Sequence, residues 1–274
     1  MENKKCDLHI HSNFSDSDAD VESIFKQADE KQLSCISITD HDTVSSIYLA
    51  REYSKIYNIE IIEGVEFSAR HKDGEVHILA YFIDTENSNL CEKLKIIKNV
   101  RIKRFSSMIG KLNDLGLRVD EQELMLSIGE SIPSRLHLGL YLVKKGLVPS
   151  MSQVFGKYLG IGKPAYEAGF KFLVEDIVDL VKECGGVSFL AHPHILSNQD
   201  WVTEIINLGV DGLEIAYHNM SLVKKLLYQN MVSKKGLLRC GGSDVHGSYK
   251  EFIKMGDITI PYKWVNEMKH RLGK

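Results

Sequence analysis

Residues 6–16 read Cys6-Asp7-Leu8-His9-Ile10-His11-Ser12-Asn13-Phe14-Ser15-Asp16. Cys6–Ile10 has the short apolar character of a β-strand. Side chains at i and i+2 of a strand share one face, so His9 and His11 can both reach a single ion. Asp16 and Asp18 lie in the loop just beyond. A helix is predicted next, with Val21, Ile24, Phe25 and Ala28 at helical spacing and Asp20 as its cap. Cys35–Thr39 is predicted as a second strand that leaves directly into Asp40 and His41. Strands alternating with amphipathic helices, each strand ending on polar ligand types, point to an α/β fold.

Further along the chain the pattern continues and then changes. A helix carrying Val44, Ile47, Tyr48 and Tyr53 leads to a third strand at Ile59–Ile62. Val65–Arg70 and Glu75–Ile83 flank His71-Lys72-Asp73-Gly74, a turn composition that predicts an antiparallel hairpin. Residues 89–172 read as helical throughout. Leu90, Leu94, Ile97, Phe105, Met108, Leu112 and Leu115 form an apolar stripe ended by Gly116. Alternation resumes with a helix at Val174–Glu183 and strands at Val187–Leu190, Gly212–Tyr217, Leu237–Gly241 and, weakly, Met255–Ile260, before a final helix at Trp264–Leu272. The predicted organisation is a core domain of residues 1–88 and 173–274 interrupted by a helical insertion, 89–172.

Composition excludes several classes. At 274 residues the chain can build one large α/β domain with a smaller second one. A net charge of −3 supplies no basic field for duplex DNA, which leaves small nucleotides or short oligonucleotides open as substrates. Lys93–Arg118 is locally basic, eight Lys or Arg against Asp114, and reads either as steering for an anionic substrate or as a solvated helix face. The five cysteines are scattered singly with no Cys-x-x-Cys pair, so neither a zinc knuckle nor a disulfide framework is readable. No apolar run approaches the length of a signal peptide or membrane span. A cytoplasmic protein with no membrane partner is expected.

The chemistry lies in where histidines and carboxylates fall. After His9, His11 and Asp16 come Asp40-His41 past the second strand, Glu66 and His77 on the two hairpin arms, His192 and His194 past Val187–Leu190, and Asp244 and His246 past Leu237–Gly241. Strand ends of a parallel barrel converge on one mouth, where active sites are built. Imidazole and carboxylate without thiolate suit zinc, manganese or iron. Ligands from many strands imply more than one ion, and paired ions about 3.5–4 Å apart clamp both oxygens of a phosphoryl transfer. His71, in a turn, and His270, near the terminus, read as surface residues.

Asp7-Leu8-His9-Ile10-His11-Ser12, Ser15-Asp16-Ser17, Thr39-Asp40-His41-Asp42, Gly64-Val65-Glu66, Ala191-His192-Pro193 and Gly242-Ser243-Asp244-Val245-His246 together resemble the motifs of the PHP (polymerase and histidinol phosphatase) superfamily. The resemblance implies a distorted (β/α)7 barrel with a metal site at its C-terminal mouth and a mostly helical insertion capping that mouth. It implies two to three divalent ions (Mn, Fe or Zn): one on His9, His11, Glu66 and Asp244, a second on Asp16, His41 and His246, and a third on Glu66, His77 and His192. Asp40 then supports His41 or is structural.

Within the insertion, Pro133-Ser134-Arg135-Leu136-His137, Phe155-Gly156-Lys157-Tyr158-Leu159-Gly160 and Gly162-Lys163-Pro164-Ala165-Tyr166 resemble bacterial PHP enzymes that act as nucleoside 3′,5′-bisphosphate phosphatases and 5′-to-3′ exonucleases on short RNA. The implied activity is hydrolysis of the 3′-phosphate of such bisphosphates, or of short 5′-phosphorylated oligoribonucleotides. Asp16, His194 and Arg135 are the expected catalytic groups. Arg135, His137, Lys163 and His218 are the expected substrate contacts, since a guanidinium suits bidentate phosphate recognition. The alternatives are a phosphatase of histidinol-phosphate-like or sugar phosphates, an amidohydrolase-type hydrolase, and a catalytically degenerate PHP module.

Overall fold

The computed structural model describes residues 4–250 and 252–274. The chain divides into two compact units, Met1–Cys91 with Lys171–Lys274, and Glu92–Phe170.

In chain order the first unit opens with β1 (Lys5–Ile10), α1 (Val21–Glu30), β2 (Leu33–Ile38), α2 (Ile47–Tyr57), β3 (Glu60–Ile61) and the hairpin β4 (Gly64–His71) and β5 (Gly74–Tyr81). Asp20 caps α1, its carboxylate accepting from Ser23 N at 2.7 Å, and the helix buries Val21, Ile24, Phe25 and Ala28 as one stripe. Val44 lies outside α2, which starts at Ile47. The long α3 (Ser88–Asp114) leads into the second unit, followed by α4 (Glu121–Ile128), α5 (Arg135–Lys144) and α6 (Met151–Val154), the last continuing into one π-helical turn, Phe155–Leu159. The chain then returns through α7 (Val174–Glu183), β6 (Val187–Leu190), α8 (Asp200–Asn207), β7 (Gly212–Ala216), α9 (Leu222–Lys235), β8 (Leu238–Gly241), β9 (Ile260–Pro261) and α10 (Tyr262–Arg271).

The second unit packs Phe105, Met108 and Leu112 of α3 against Leu138 and Leu142 of α5, with Val154 and Leu159. The apolar stripe stops one turn earlier than its spacing suggests, because Leu115 is exposed at the helix end, where Gly116 turns the chain at a φ of +85°. Two of the basic side chains of this stretch fold onto their own unit. Arg104 Nε donates to Glu167 O at 2.7 Å, and Lys111 Nζ reaches Glu167 Oε2 at 2.7 Å.

The first unit holds two sheets rather than a closed barrel. One has the order β3-β2-β1-β9, and the other β4-β5-β6-β7-β8. β1 and β2 are parallel, with Cys6 opposite Cys35, while β4, β5 and β6 are antiparallel in succession. That hairpin breaks the parallel progression. Among the described residues the backbone bridges between the sheets are single and parallel, Ile10 with Val245 and His41 with Glu66. Both bridges sit at the ends that carry the histidines. His11 N donates to Val245 O (3.1 Å), Asp244 N to His9 O (2.7 Å) and Glu66 N to Asp40 O (3.2 Å), so the ligand-bearing segments are stitched together backbone to backbone.

Close backbone approach at this seam explains Gly242. A Cβ there would lie 2.3 Å from His9 N and 2.6 Å from Asp7 Oδ1. Gly242→Ala is therefore expected to destabilise the protein by about 1–3 kcal/mol, as overpacking does where backbone cannot move aside. Urea unfolding of the metal-free protein measures this, and an unchanged midpoint would mean that the seam is looser than its geometry.

His71 departs from its expected surface role. It closes β4 and is buried, its Nε2 2.7 Å from Glu204 Oε2 and its ring 5.5 Å from Trp201 edge-to-face. The turn begins one residue later than its composition suggests, so this ring falls on the strand and under α8.

Candidate metal centre

β1 carries His9, and His11 follows one residue past its end, both side chains fully buried and their ring centroids 5.3 Å apart. Strand pairing carries Glu66 of β4 to the same place. Glu66 Oε2 lies 3.3 Å from His9 Nε2, 3.2 Å from His11 Nε2 and 3.2 Å from His41 Nδ1. Its Oε1 lies 3.0 Å from both His77 Nδ1 and His192 Nε2. One carboxylate thus faces five imidazoles. Asp244, just past β8, adds Oδ1 at 3.3 Å from His9 Nε2 and 3.0 Å from His11 Nε2. Asp16 stands on the other side of His11, 3.5 Å from its Nδ1, with His246 Nε2 at 3.4 Å and His41 Nε2 at 3.7 Å.

Three groups of ligand atoms therefore converge, each within 4.8 Å: His9, His11, Glu66 and Asp244; His11, Asp16, His41 and His246; and His41, Glu66 and His77. His11 joins the Asp16 group, and His41 stands with Glu66 and His77. His192 shares Glu66 Oε1 with His77, the two rings edge-to-face at 5.1 Å. His192 and Asp244 both sit in the left-handed backbone region, at φ of +29° and +54°, conformations that cost non-glycine residues energy and collect at functional sites.

The donor set fits cations. Ring nitrogens His9 Nε2, His11 Nδ1 and Nε2, and His41 Nδ1 are buried and form no aligned hydrogen bond, although carboxylate oxygens stand nearby. Close but misaligned donors and acceptors are what a shared central ion requires. With metal–ligand bonds of about 2.1 Å, neighbouring ligand atoms are roughly 3.0–3.4 Å apart, and most of the distances above fall there. The electrostatics agree. Burial alone would raise the Glu66 carboxyl, yet His41, His9 and His77 hold it well below the usual range. Asp16 and Asp244 are likewise held low against burial, by His246 and His41 and by His9 and His11 respectively. Burial pulls His11 down, but the nearby carboxylates of Asp244, Glu66 and Asp16 bring it up to about 9. His41 is pushed down to about 4, chiefly by burial.

Several buried groups orient this set from behind. Glu214 of β7, fully buried, places Oε1 2.8 Å from His9 Nδ1 and accepts from His192 N through Oε2 at 2.6 Å. His9 Nε2 is thereby left to face the cluster. His246 Nδ1 lies 2.8 Å from Asp244 O, which leaves its Nε2 toward Asp16. Asp7 accepts from Ser243 N, Ser243 Oγ and Gly256 N, and burial raises its carboxyl to about 6. Asp40 clamps the loop after β1, accepting from Ser12 N, Ser12 Oγ and Ser15 Oγ at 2.6–2.7 Å. Glu214 escaped the sequence reading. Its signal is a carboxylate in the middle of the apolar strand Gly-Leu-Glu-Ile-Ala, where an ionisable group must find a partner.

The other expected site residues are distributed as follows. The rings of His194 and His218 both lie beside that of Tyr217, with centroids 4.9 and 4.3 Å from it. Burial, then His192 and Lys224, push His194 down to about 4. In the helical unit Arg135 and His137 occupy the first turn of α5. The Arg135 guanidinium lies 5.6 Å from the Tyr166 ring, and Ser134 caps the helix by accepting from His137 N. Lys163 is an exposed residue whose N–H donates to Gly160 O at 3.0 Å. Among the described residues no helix is long and apolar enough to cross a membrane.

Comparison with known proteins gives this site its context. Residues 7–127 match the PHP domain. The chain is 27% identical over 248 residues to a Haemophilus influenzae protein named 5′-3′ exoribonuclease (89% of this chain, 90% of the relative). It is 29% identical over 246 residues to a Chromobacterium violaceum 3′,5′-nucleoside bisphosphate phosphatase (88% and 86%). It is 25% identical over 254 residues to an Eggerthella lenta phosphoribosyl 1,2-cyclic phosphate 1,2-diphosphodiesterase (91% and 97%). A solved structure from Bifidobacterium adolescentis shares the fold, with a TM-score of 0.89 at 24% identity over 97% of this chain and 96% of that one. Residues 7–127 thus carry a PHP domain, and the chain that gathers these imidazoles and carboxylates is similar along most of its length to phosphoesterases.

Proposed function

We propose that the protein removes the 3′-phosphate of nucleoside 3′,5′-bisphosphates and acts on short 5′-phosphorylated oligoribonucleotides. The observation that carries this reading is similarity to a bisphosphate phosphatase and an exoribonuclease along almost the whole chain, the helical segment included. Two or three ions of manganese, iron or zinc, when bound, would activate water and neutralise charge on the phosphoryl oxygens. In this reading Glu66 bridges the ligand groups, Asp16 and Asp244 hold their flanks, and Glu214 keeps His9 turned inward. Arg135 and His137 bind the phosphate that is not cleaved: a first helical turn presents N–H groups and a favourable dipole to an anion, and the guanidinium adds two directed donors. Lys163 adds charge for the same phosphate, and His194 and His218 contact the substrate beside Tyr217.

The E. lenta relative favours a second reading, in which the substrate is a sugar phosphate, here a cyclic ribose phosphodiester. The experiment that separates them is Mn²⁺-dependent hydrolysis of 3′,5′-bisphosphoadenosine, a ribose 1,2-cyclic phosphate and histidinol phosphate, followed by ³¹P NMR so that ring opening of the cyclic ester is counted as well as phosphate release. A kcat/KM for the bisphosphate at least about tenfold above the others is expected, the scale of one well-made contact to a second phosphate. Preference for the cyclic phosphate would replace the first reading by the second.

A further inference from the structure

We propose that Tyr217 and Lys250 are positioning residues that reserve one oxygen of Asp244 for the metal centre. The inference rests on the metal-dependent reading of that centre. Asp244 divides its two oxygens between opposite surroundings. Oδ1 faces His9 Nε2 and His11 Nε2, as described above. Oδ2 accepts from the Tyr217 hydroxyl at 2.6 Å and from Lys250 Nζ at 2.9 Å. A carboxylate with both oxygens free can chelate one ion or bridge two. Two strong donors on Oδ2 occupy the lone pairs that such binding needs, so Asp244 can offer only Oδ1.

The two donors come from separate parts of the fold, and each is itself held. Tyr217 directly follows β7, and its ring lies among those of His192 (5.6 Å), His194 and His218. Lys250 ends a 3-10 turn, Gly247–Lys250, which is fixed to the loop after β1. Asp18 accepts there from Ser248 N at 2.7 Å and Ser248 Oγ at 2.5 Å, and a Cβ at Gly247 would fall 1.9 Å from Asp18 Oδ1. The Asp244 backbone is pinned as well, in a left-handed conformation with its N–H on His9 O. A strained ligand residue braced at both backbone and side chain has a preset geometry before any ion arrives. Lys250 also draws charge from the carboxylate, which leaves an ion bound there a stronger Lewis acid.

The test uses the whole chain, stripped of metal and reloaded, with Mn²⁺ affinity from chelator competition and the visible spectrum of the Co²⁺-loaded form. Tyr217→Phe is expected to bind about tenfold more weakly at one site, the lower end of what loss of a ligand-orienting partner causes. Its Co²⁺ band should weaken as freed Oδ2 raises the coordination number. Lys250→Met, on a half-buried turn, is expected to shift the same band with little loss of affinity, and Lys250→Arg to restore it. Wild-type affinity and an unchanged Co²⁺ spectrum in Tyr217→Phe would overturn the proposal, as would a lower melting temperature with the spectrum unmoved. Wild-type protein that binds no divalent ion would overturn the metal-dependent reading as well, so the two failures are distinguishable.

Discussion

Glu66→Gln is expected to reduce Mn²⁺-dependent phosphate release to the level of chelated wild-type protein, a loss of at least about 100-fold given that even ligand-supporting residues cost 10–100-fold. The reason is geometric. Glu66 is 1% exposed, and its two oxygens address His9, His11 and His41 on one side and His77 and His192 on the other. Glutamine keeps the shape, loses the charge and turns one oxygen into a donor aimed at imidazole nitrogens that must themselves be free for ions. Two ligand groups lose their shared anion at once. Metal analysis after dialysis should show fewer ions per chain than wild type, with far-UV circular dichroism unchanged. Retained metal and activity would remove Glu66 from the centre and leave those two ligand groups without their shared anion.

Much of this arrangement can be read along the chain because it is local. His9 and His11 share a face by strand periodicity, and the structure does set their rings side by side. Val174–Glu183 and Val187–Leu190 follow from apolar spacing between Gly185-Gly186 and the preceding helix, and the structure places those elements at those residues. What stayed hidden depends on long-range pairing. Whether strands close into a barrel depends on which edges meet, and the antiparallel β4–β5 hairpin leaves two sheets joined by single bridges. A polar residue inside an apolar strand, such as Glu214, is silent until the partner strand is known. Tyr217 and Lys250 acquire meaning only because Asp244, 27 and 6 residues away, turns one oxygen toward both.

Glu214→Gln should show how far these hidden residues govern the visible ones. Glu214 is fully buried and binds two donors, His9 Nδ1 through Oε1 and His192 N through Oε2. A carboxylate accepts from both; an amide cannot. If the glutamine oxygen stays on the His192 N–H, its NH2 faces His9 Nδ1 and stabilises the tautomer protonated at Nε2. That proton would sit on Nε2, the nitrogen needed for the ion, which lies 3.3 Å from Glu66 Oε2. If the amide turns the other way, a donor meets the His192 N–H, and the strained backbone at φ +29° loses its anchor. Either orientation is expected to lower Mn²⁺ affinity by up to about 100-fold. Loss of a charge-assisted buried hydrogen bond should also reduce the stability of the metal-free protein by about 1.5–3 kcal/mol. Calorimetric Mn²⁺ titration and urea unfolding read the two effects separately. Lower stability with unchanged metal affinity would mean that Glu214 only braces β7 against β6, and that His9 keeps its inward nitrogen bare by some other contact.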